Sequence, residues 1–314
     1  MTKFIGSRLV TTIPVLLFVS VAVFLMLHLT PGDPVRLMLG EDADPQSVAA
    51  LRSELGLDRP LPFQFFRWLG NVLTGDLGRS IRTNQPVLEA ITSRLPVTLE
   101  LAFLALLVAL TIGLPSGILA AIRRNSPLDV ASTTFALVGV SLPNFFLGIL
   151  LILFLAQRLR LLPPSGYVPF LDDPVQNLKL MIMPSLALGA ALAGIISRMM
   201  RSSLLEVLGA DYVRTARAKG LTDHATILGH ALKNALLPVV TVVGLQTGAL
   251  LGGAILTETI FALPGIGRLV VDSIFARDFP IVQGVVLFLA LVRIFSNLLA
   301  DIMYVQLDPR ISYA

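Results

Sequence analysis

The chain has 314 residues, no cysteine, and 14% charged side chains against 55% hydrophobic ones. Soluble domains carry roughly 25% charge, so this composition points to an integral membrane protein, and the absence of cysteine excludes disulfides, thiol catalysis and cysteine-held metals. The formal net charge of +4 reads as the Lys/Arg excess that orients membrane helices, and not as nucleic-acid affinity, which needs a soluble basic domain.

A hydrocarbon core of ~30 Å takes about 20 apolar residues in a helix rising ~1.5 Å per residue. Six segments qualify, at 9–29, 97–121, 131–156, 180–202, 236–257 and 281–304. They are long and rich in Leu, Val, Ala and Gly, as spanning helices are and barrel strands are not. The expectation is an all-α polytopic membrane protein with six transmembrane helices and a small helical extracytoplasmic segment. It is organised as 1–29 (N-terminus and first span), 30–95 (the extracytoplasmic segment) and 96–314 (the remaining spans). The first stretch has a basic start and an apolar run, but the run is too long for a signal peptide and no small-x-small site follows, so it reads as a retained span.

Cations set the orientation. With the N-terminus inside, Lys3, Arg8, Arg123, Arg124, Arg198, Arg201, Arg214, Arg217, Lys219, Lys233 and Arg310 give eleven on the inner side, against five outside at Arg158, Arg160, Lys179, Arg268 and Arg277. Both termini are therefore expected in the cytoplasm. Segment 30–95 is too long to be counted under that rule, and it carries helix signals of its own. Asp44, Pro45 and Gly56 read as N-cap, first residue and C-terminal stop of one helix. Phe63, Phe66, Leu69, Val72 and Leu73 recur at helical spacing, and Trp68 and the phenylalanines suit a membrane interface. "NQPVLEAITSRLP" reads as a third short helix. The segment is either a cap on the outer face or a tether between spans.

Within the spans, small residues recur at i, i+4 and i+8. They are Gly113 and Gly117 in span two, Ser185, Gly189, Ala193 and Ser197 in span four, and Gly244, Gly248 and Gly252 in span five, where Gln246 lies nearby. Such stripes let backbones approach in lipid; they serve helix packing, or additionally face a partner subunit and a pathway. In span three Pro143 predicts a kink whose freed carbonyl Ser141 or Asn144 can satisfy. Span six places Arg293 near mid-depth with Asn297 and Asp301 at i+4 and i+8. A central Arg costs ~2.5–3.5 kcal/mol on insertion scales, so it must face protein or water, as a pathway or partner-pairing cation or as a pin between helices. Midplane carboxylates, usual in proton- or sodium-driven carriers, are missing. There is also no phosphate-binding loop. His224 and His230 lie about 240° apart round a helix and do not face one metal. No nucleophile arrangement is readable, so no catalytic residue, metal site or enzyme is expected.

The polar stretch "DYVRTARAKGLTDHATILGHALKNALLP" at 211–238 stands out. Asp211 can cap a short helix and Gly220 can close it, with Arg217 and Lys219 at the negative end of its dipole. Thr215, Ala216 and Ala218 are small enough for another protein to approach. A second helix starts near Thr222 and runs into span five, so a short surface helix joins a membrane helix directly.

This stretch, with "LTPGDP" at 29–34, "HALKNALLPVVT" at 230–241, "ILTETIFALPGIGRLV" at 255–270 and "DPRISY" at 308–313, resembles the permease subunits of binding-protein-dependent ABC importers, in the dipeptide/oligopeptide/nickel branch. The resemblance covers essentially the whole chain and implies a type I importer permease fold. It implies that Asp211, Tyr212, Arg214, Thr215, Ala216, Arg217, Ala218, Lys219 and Gly220 form a coupling helix docking on a cytoplasmic ATPase. The family's general Glu-Ala-Ala-x3-Gly motif falls on Arg214, Thr215, Ala216 and Gly220, with the Glu and first Ala replaced. The implied partners are a second homologous permease, commonly a different one, two ATPase subunits that hold the ATP and magnesium, and an extracytoplasmic solute-binding protein. This chain itself is expected to bind no cofactor. The location implied is the cytoplasmic membrane of a bacterium or archaeon, the cargo a di- or oligopeptide or a related small solute such as glutathione or a nickel chelate. The competing reading is an autonomous secondary transporter or channel.

Overall fold

The computed structural model describes residues 2–29, 34–40 and 43–307. The 308–313 stretch, Arg310, and residues 30–33 of the 29–34 stretch lie outside these, as do the side chains of Lys3, Arg8 and Asp301. The described residues hold no β-strand beyond a single antiparallel bridge between Arg79 and Pro86. They divide into two compact units, residues 1–96 with 269–294, and residues 97–268 with 295–314.

The first unit begins with α1 (Thr2–Leu29), followed by α2 (Pro34–Leu39), α3 (Pro45–Leu55) and α4 (Leu61–Leu73). α3 starts and stops where its sequence says. The Asp44 carboxylate accepts from the Ser47 N–H, Pro45 opens the helix, and Gly56 ends it in the left-handed region at φ 71°; such a cap is worth ~1 kcal/mol. The turn after α4 is fixed by a buried carboxylate. Asp278 accepts from the Ser80 hydroxyl and, at 3.1 Å, from the Ile81 N–H. Ser80 Oγ in turn accepts from the N–H groups of Arg82 and Thr83. Asp278 thereby ties residues 80–83 to the start of α13 (Phe279–Leu307). The stretch expected as a third short helix is instead the opening of α5 (Val87–Ile122), continuous with span two. Val87, Ala90 and Ile91 are buried, and that packing carries the helix through Pro96, which removes one donor without forcing a break.

The second unit is built round α8 (Pro174–Leu208). In the most apolar part of α8, 72% of residues are buried, against 22% in the membrane-length helix Asp223–Gly252. α8 is therefore central, and the latter helix is largely uncovered. Small residues explain the closeness. A methyl group on Gly113, Gly117 or Gly189 would come within 2.7, 2.5 and 2.5 Å of the carbonyl oxygens of Ala193, Ser197 and Ala105. Ser116 Oγ also bonds Ser197 Oγ at 2.9 Å. The stripes of spans two and four are thus consumed in packing on each other.

Span three is not one kinked helix. α6 (Pro127–Ser141) and α7 (Asn144–Leu151), which runs on into a π-helical segment at Ile152–Arg158, are bent by 105° at the break. Leu142 is extended (φ −82°, ψ 125°) and Pro143 precedes the new helix. A proline pushes the residue before it out of the helical region, and here that ends the helix outright. Ser141 and Asn144 flank the break and do not bridge a surviving kink. Among the described residues four helices are long and apolar enough to span a membrane, and a fifth is reached if the broken pair is one span. α1 contributes the apolar stretch Thr11–Met26, so the six expected segments fall in helix apart from the break at 142–143.

Candidate functional site: the 211–220 surface and its supports

α9 (Asp211–Ala218) is a two-turn helix after Gly209. Its N-cap is Ala210, in extended conformation and without a side-chain cap bond. Asp211 is therefore the first helical residue and not the cap, contributing charge at the positive end of the dipole. The other end is a Schellman stop. The Gly220 N–H donates to Arg217 O at 2.9 Å and the Leu221 N–H to Ala216 O at 3.4 Å, with Gly220 at φ 85°. That conformation suits glycine, and nothing lies within 4 Å of where a Cβ would stand.

The helix is half anchor and half free face. Val213 and Ala216 are buried, and Val213 joins the apolar core that includes Leu204, Ala231 and Ala235. Burying one such valine contributes ~1.5–3 kcal/mol. Ala216 is thus part of the anchor and not of an approachable surface. Asp211, Tyr212, Arg214, Thr215, Arg217, Ala218, Lys219 and Gly220 are exposed. Arg214 meets Asp211 at 3.6 Å with both side chains open to water, a geometry that contributes little and leaves Arg214 available for a stronger partner.

Two bonds fasten α9 to the helices after it. Arg217 Nε donates to Asp223 Oδ1 at 3.0 Å, and Asn234 Nδ2 donates to the Tyr212 hydroxyl at 2.8 Å. The next helix starts where expected: Thr222 caps α10 (Asp223–Thr226) through the Ala225 N–H. A π-helical turn at Ile227–Ala231 then leads into α11 (Leu232–Ile260). α9 therefore connects to a membrane-length helix through an unbroken, hydrogen-bonded corner.

Two further supports carry chemistry that the sequence does not display. Ser126 caps α6 through the Asp129 N–H, and the Asp129 carboxylate accepts from the Asn125 N–H at 2.9 Å. Arg201 of α8 grips the same carboxylate with Nε at 2.6 Å and Nη2 at 2.8 Å. The Ser-Pro-Leu-Asp run signals the cap; nothing local signals Arg201. At the far end of α11, buried Glu258 accepts from Thr98 Oγ1 at 2.7 Å and from the Arg268 N–H at 3.0 Å, while Thr98 Oγ1 accepts from the Ile266 N–H at 2.9 Å. Gly265 lies so close to this carboxylate that no side chain fits there. The "FALPGIGRL" loop is thereby folded round an acidic group. In the loop 159–173, Tyr167 donates to Glu100 Oε2 at 2.7 Å; burial first, then Glu100, pushes the Tyr167 phenol well above its ordinary pKa, so it stays a donor.

The other sequence candidates are dispersed. Gly244 and Gln246 are half-buried, Gly248 is buried, and Gly252 is exposed with no atom within 4 Å of a would-be Cβ. The span-five stripe therefore has an open end that no described residue fills. Ser141 is exposed and Asn144 half-buried. Arg293 and Asn297 are exposed, and Arg293 has no ion-pair partner among the described residues. Those residues also hold no cluster of metal-ligating side chains.

Known proteins give this helical membrane subunit a family. Residues 113–313 match the family described as binding-protein-dependent transport system inner membrane component, and residues 1–102 match the N-terminal region of such membrane components. The chain belongs to this family of inner-membrane transport permeases, which are not themselves catalytic. It is 44% identical, over the whole of this chain and 99% of the relative, to the dipeptide transport system permease protein DppB of Escherichia coli K12. It is also 44% identical, over the whole of both, to the DppB of Alkalihalophilus pseudofirmus. Among solved structures, an inward-facing MetNI methionine ABC transporter matches 70% of this chain and 97% of its own with a TM-score of 0.55 at 18% identity. An amino acid ABC transporter with histidines matches 69% and 94% with a TM-score of 0.54 at 16% identity. These two likenesses concern the fold.

Proposed function

We propose that this chain is one of two membrane subunits of an ATP-driven peptide importer and that the exposed face of α9 is its grip on a cytoplasmic ATPase. The observation that carries this is the division of α9 into a buried side, Val213 and Ala216, and an open cationic side, Arg214, Arg217 and Lys219, on a helix bonded at both ends to the start of a spanning helix. A surface helix held this way transmits displacement. ATP and magnesium belong to the two ATPase subunits. Their closure draws the coupling helices together and tips the spans from inward- to outward-facing. A solute-binding protein delivers cargo to the outer face near segment 30–95 and the 261–268 loop. Both termini lie in the cytoplasm, as the cation count favours.

Peptides are the proposed cargo because the relatives at 44% identity are named as dipeptide permeases. The second permease is a different homologue. Arg293 supports a multi-subunit assembly: an exposed mid-span guanidinium is too costly to leave in lipid, so its counterpart is another chain or the pathway. The open end of the span-five stripe at Gly252 fits the same partner.

Reconstitution tests the reading. Vesicles holding this chain alone should take up no labelled dipeptide, and uptake should appear when the ATPases, the second permease, the binding protein and ATP are supplied. Uptake by the chain alone would establish an autonomous carrier or channel instead.

A further inference from the structure

α4 carries more apolar surface than the described residues cover. At 100° per residue, Phe65 and Trp68 lie on one stripe. Phe66 and Leu73 fall about 80–100° round from Phe65 on another, and Gln64, Arg67 and Asn71 occupy the polar side. The first stripe faces span one: the ring of Phe65 lies 5.4 Å from that of Phe24, and Trp68 lies 5.8 Å from it. Two residues of the polar side are turned to their own segment, and Asn71 is exposed. Gln64 Nε2 donates to the Arg59 carbonyl at 2.7 Å, and the Arg67 guanidinium lies against Gly56. The second stripe is open. Phe66 is 69% and Leu73 79% exposed, although Phe66 meets Phe65 edge-on at 5.5 Å.

Depth selects the occupant. Phe24 precedes the last residue of α1, Leu29, by five positions, which places it ~7 Å inside the end of that helix. A helix held at this level by Phe24 sits where acyl chains give way to headgroups, the layer in which amphipathic helices bury an apolar face by ~5–10 Å. The open stripe adjoins the stripe fixed on span one. Arg59, stacked over Phe63 at 4.6 Å, puts a guanidinium beside the same helix, as suits a layer of lipid phosphates.

We propose that Phe66 and Leu73 seat α4 in the lipid leaflet at the C-terminal end of span one, so that the connecting segment is anchored in the bilayer interface. That leaflet is the outer one on the orientation proposed above; the seat itself follows from the contacts of α4 alone.

The chain has no cysteine, so a single nitroxide reports one position cleanly. Phe66→Cys, Leu73→Cys and, on the polar side, Asn71→Cys should be labelled in the assembled importer in phospholipid vesicles. Labels at 66 and 73 should be relaxed several-fold more by molecular oxygen, which partitions into lipid, than by a water-soluble nickel chelate; the label at 71 should show the reverse order. Nickel access at 66 and 73 equal to that at 71 would overturn the proposal by placing the stripe in water. Shielding from both reagents, whether constant or appearing only when the solute-binding protein is added, would overturn it by placing a protein there. Peptide uptake by the same samples reports separately on the importer reading: a lipid-seated α4 in a complex that imports nothing would sink that reading and leave this one standing.

Discussion

Gly220 is where one residue's conformational freedom bears on function. At φ 85° with open space round it, a side chain there meets no steric obstacle and only a backbone penalty of about 1–2 kcal/mol. Gly220→Val should fray the end of α9 and lower peptide uptake while the complex still assembles and hydrolyses ATP. Gly220→Asn, which tolerates the left-handed region, should retain most of the uptake. Parallel ATPase and uptake assays on the two variants check this. The position was readable in the sequence because a lone glycine just after a short polar helix marks a left-handed stop. Asp129 was not: its cap lies three residues away at Ser126, but its main partner, Arg201, is 72 residues away, and no local pattern announces a contact of that range. Asp211 shows the opposite failure, an acidic residue in the right neighbourhood read one position too early into the cap.

Elements carried a stronger signal than their junctions. The apolar stretches marked the spanning helices well, because lipid leaves few other options. The junctions depended on packing. Pro96 lies inside a continuous helix while Pro143 marks a break, and the difference lies in what surrounds each. The glycine stripes divide the same way. Gly117→Val should press on the Ser197 carbonyl 2.5 Å away and destabilise the chain by ~1–3 kcal/mol, visible as a lower melting temperature in detergent. Gly252→Val meets nothing among the described residues. It should leave that melting temperature unchanged and reduce copurification of the second permease, since small residues at such positions serve close approach between helices. Unchanged copurification would place the interface elsewhere.

For the molecule as a whole, sequence alone reached the class of protein, because composition, cation asymmetry and the 211–221 wording agree. It did not reach the buried carboxylates, Asp278 in one unit and Glu258 in the other, that organise the turn at 80–83 and the loop at 261–268. Arg293 was visible as an anomaly, but its surroundings were not. Arg293→Leu removes a charge with no ion-pair partner among the described residues, so the isolated chain should melt no lower than the original. If the counterpart sits on a neighbouring chain, assembly of the importer should fall. If it sits in the pathway, uptake should fall with assembly intact. Retention of both assembly and uptake would strip the residue of either role.

The contacts of α8 also limit how this molecule can move. Where a backbone oxygen lies 2.5 Å from the space a methyl group would fill, at Gly117, Gly189 and Gly194, neighbouring helices have no room to slide or roll. α6, α8 and the part of α5 beyond Val97 must then travel as one solid block through any transport cycle. The helix entering at Asp223, with α9 fastened to its foot, shares a buried apolar cluster with that block through Ala231, Ala235 and Val239, so a pull on α9 reaches the block directly.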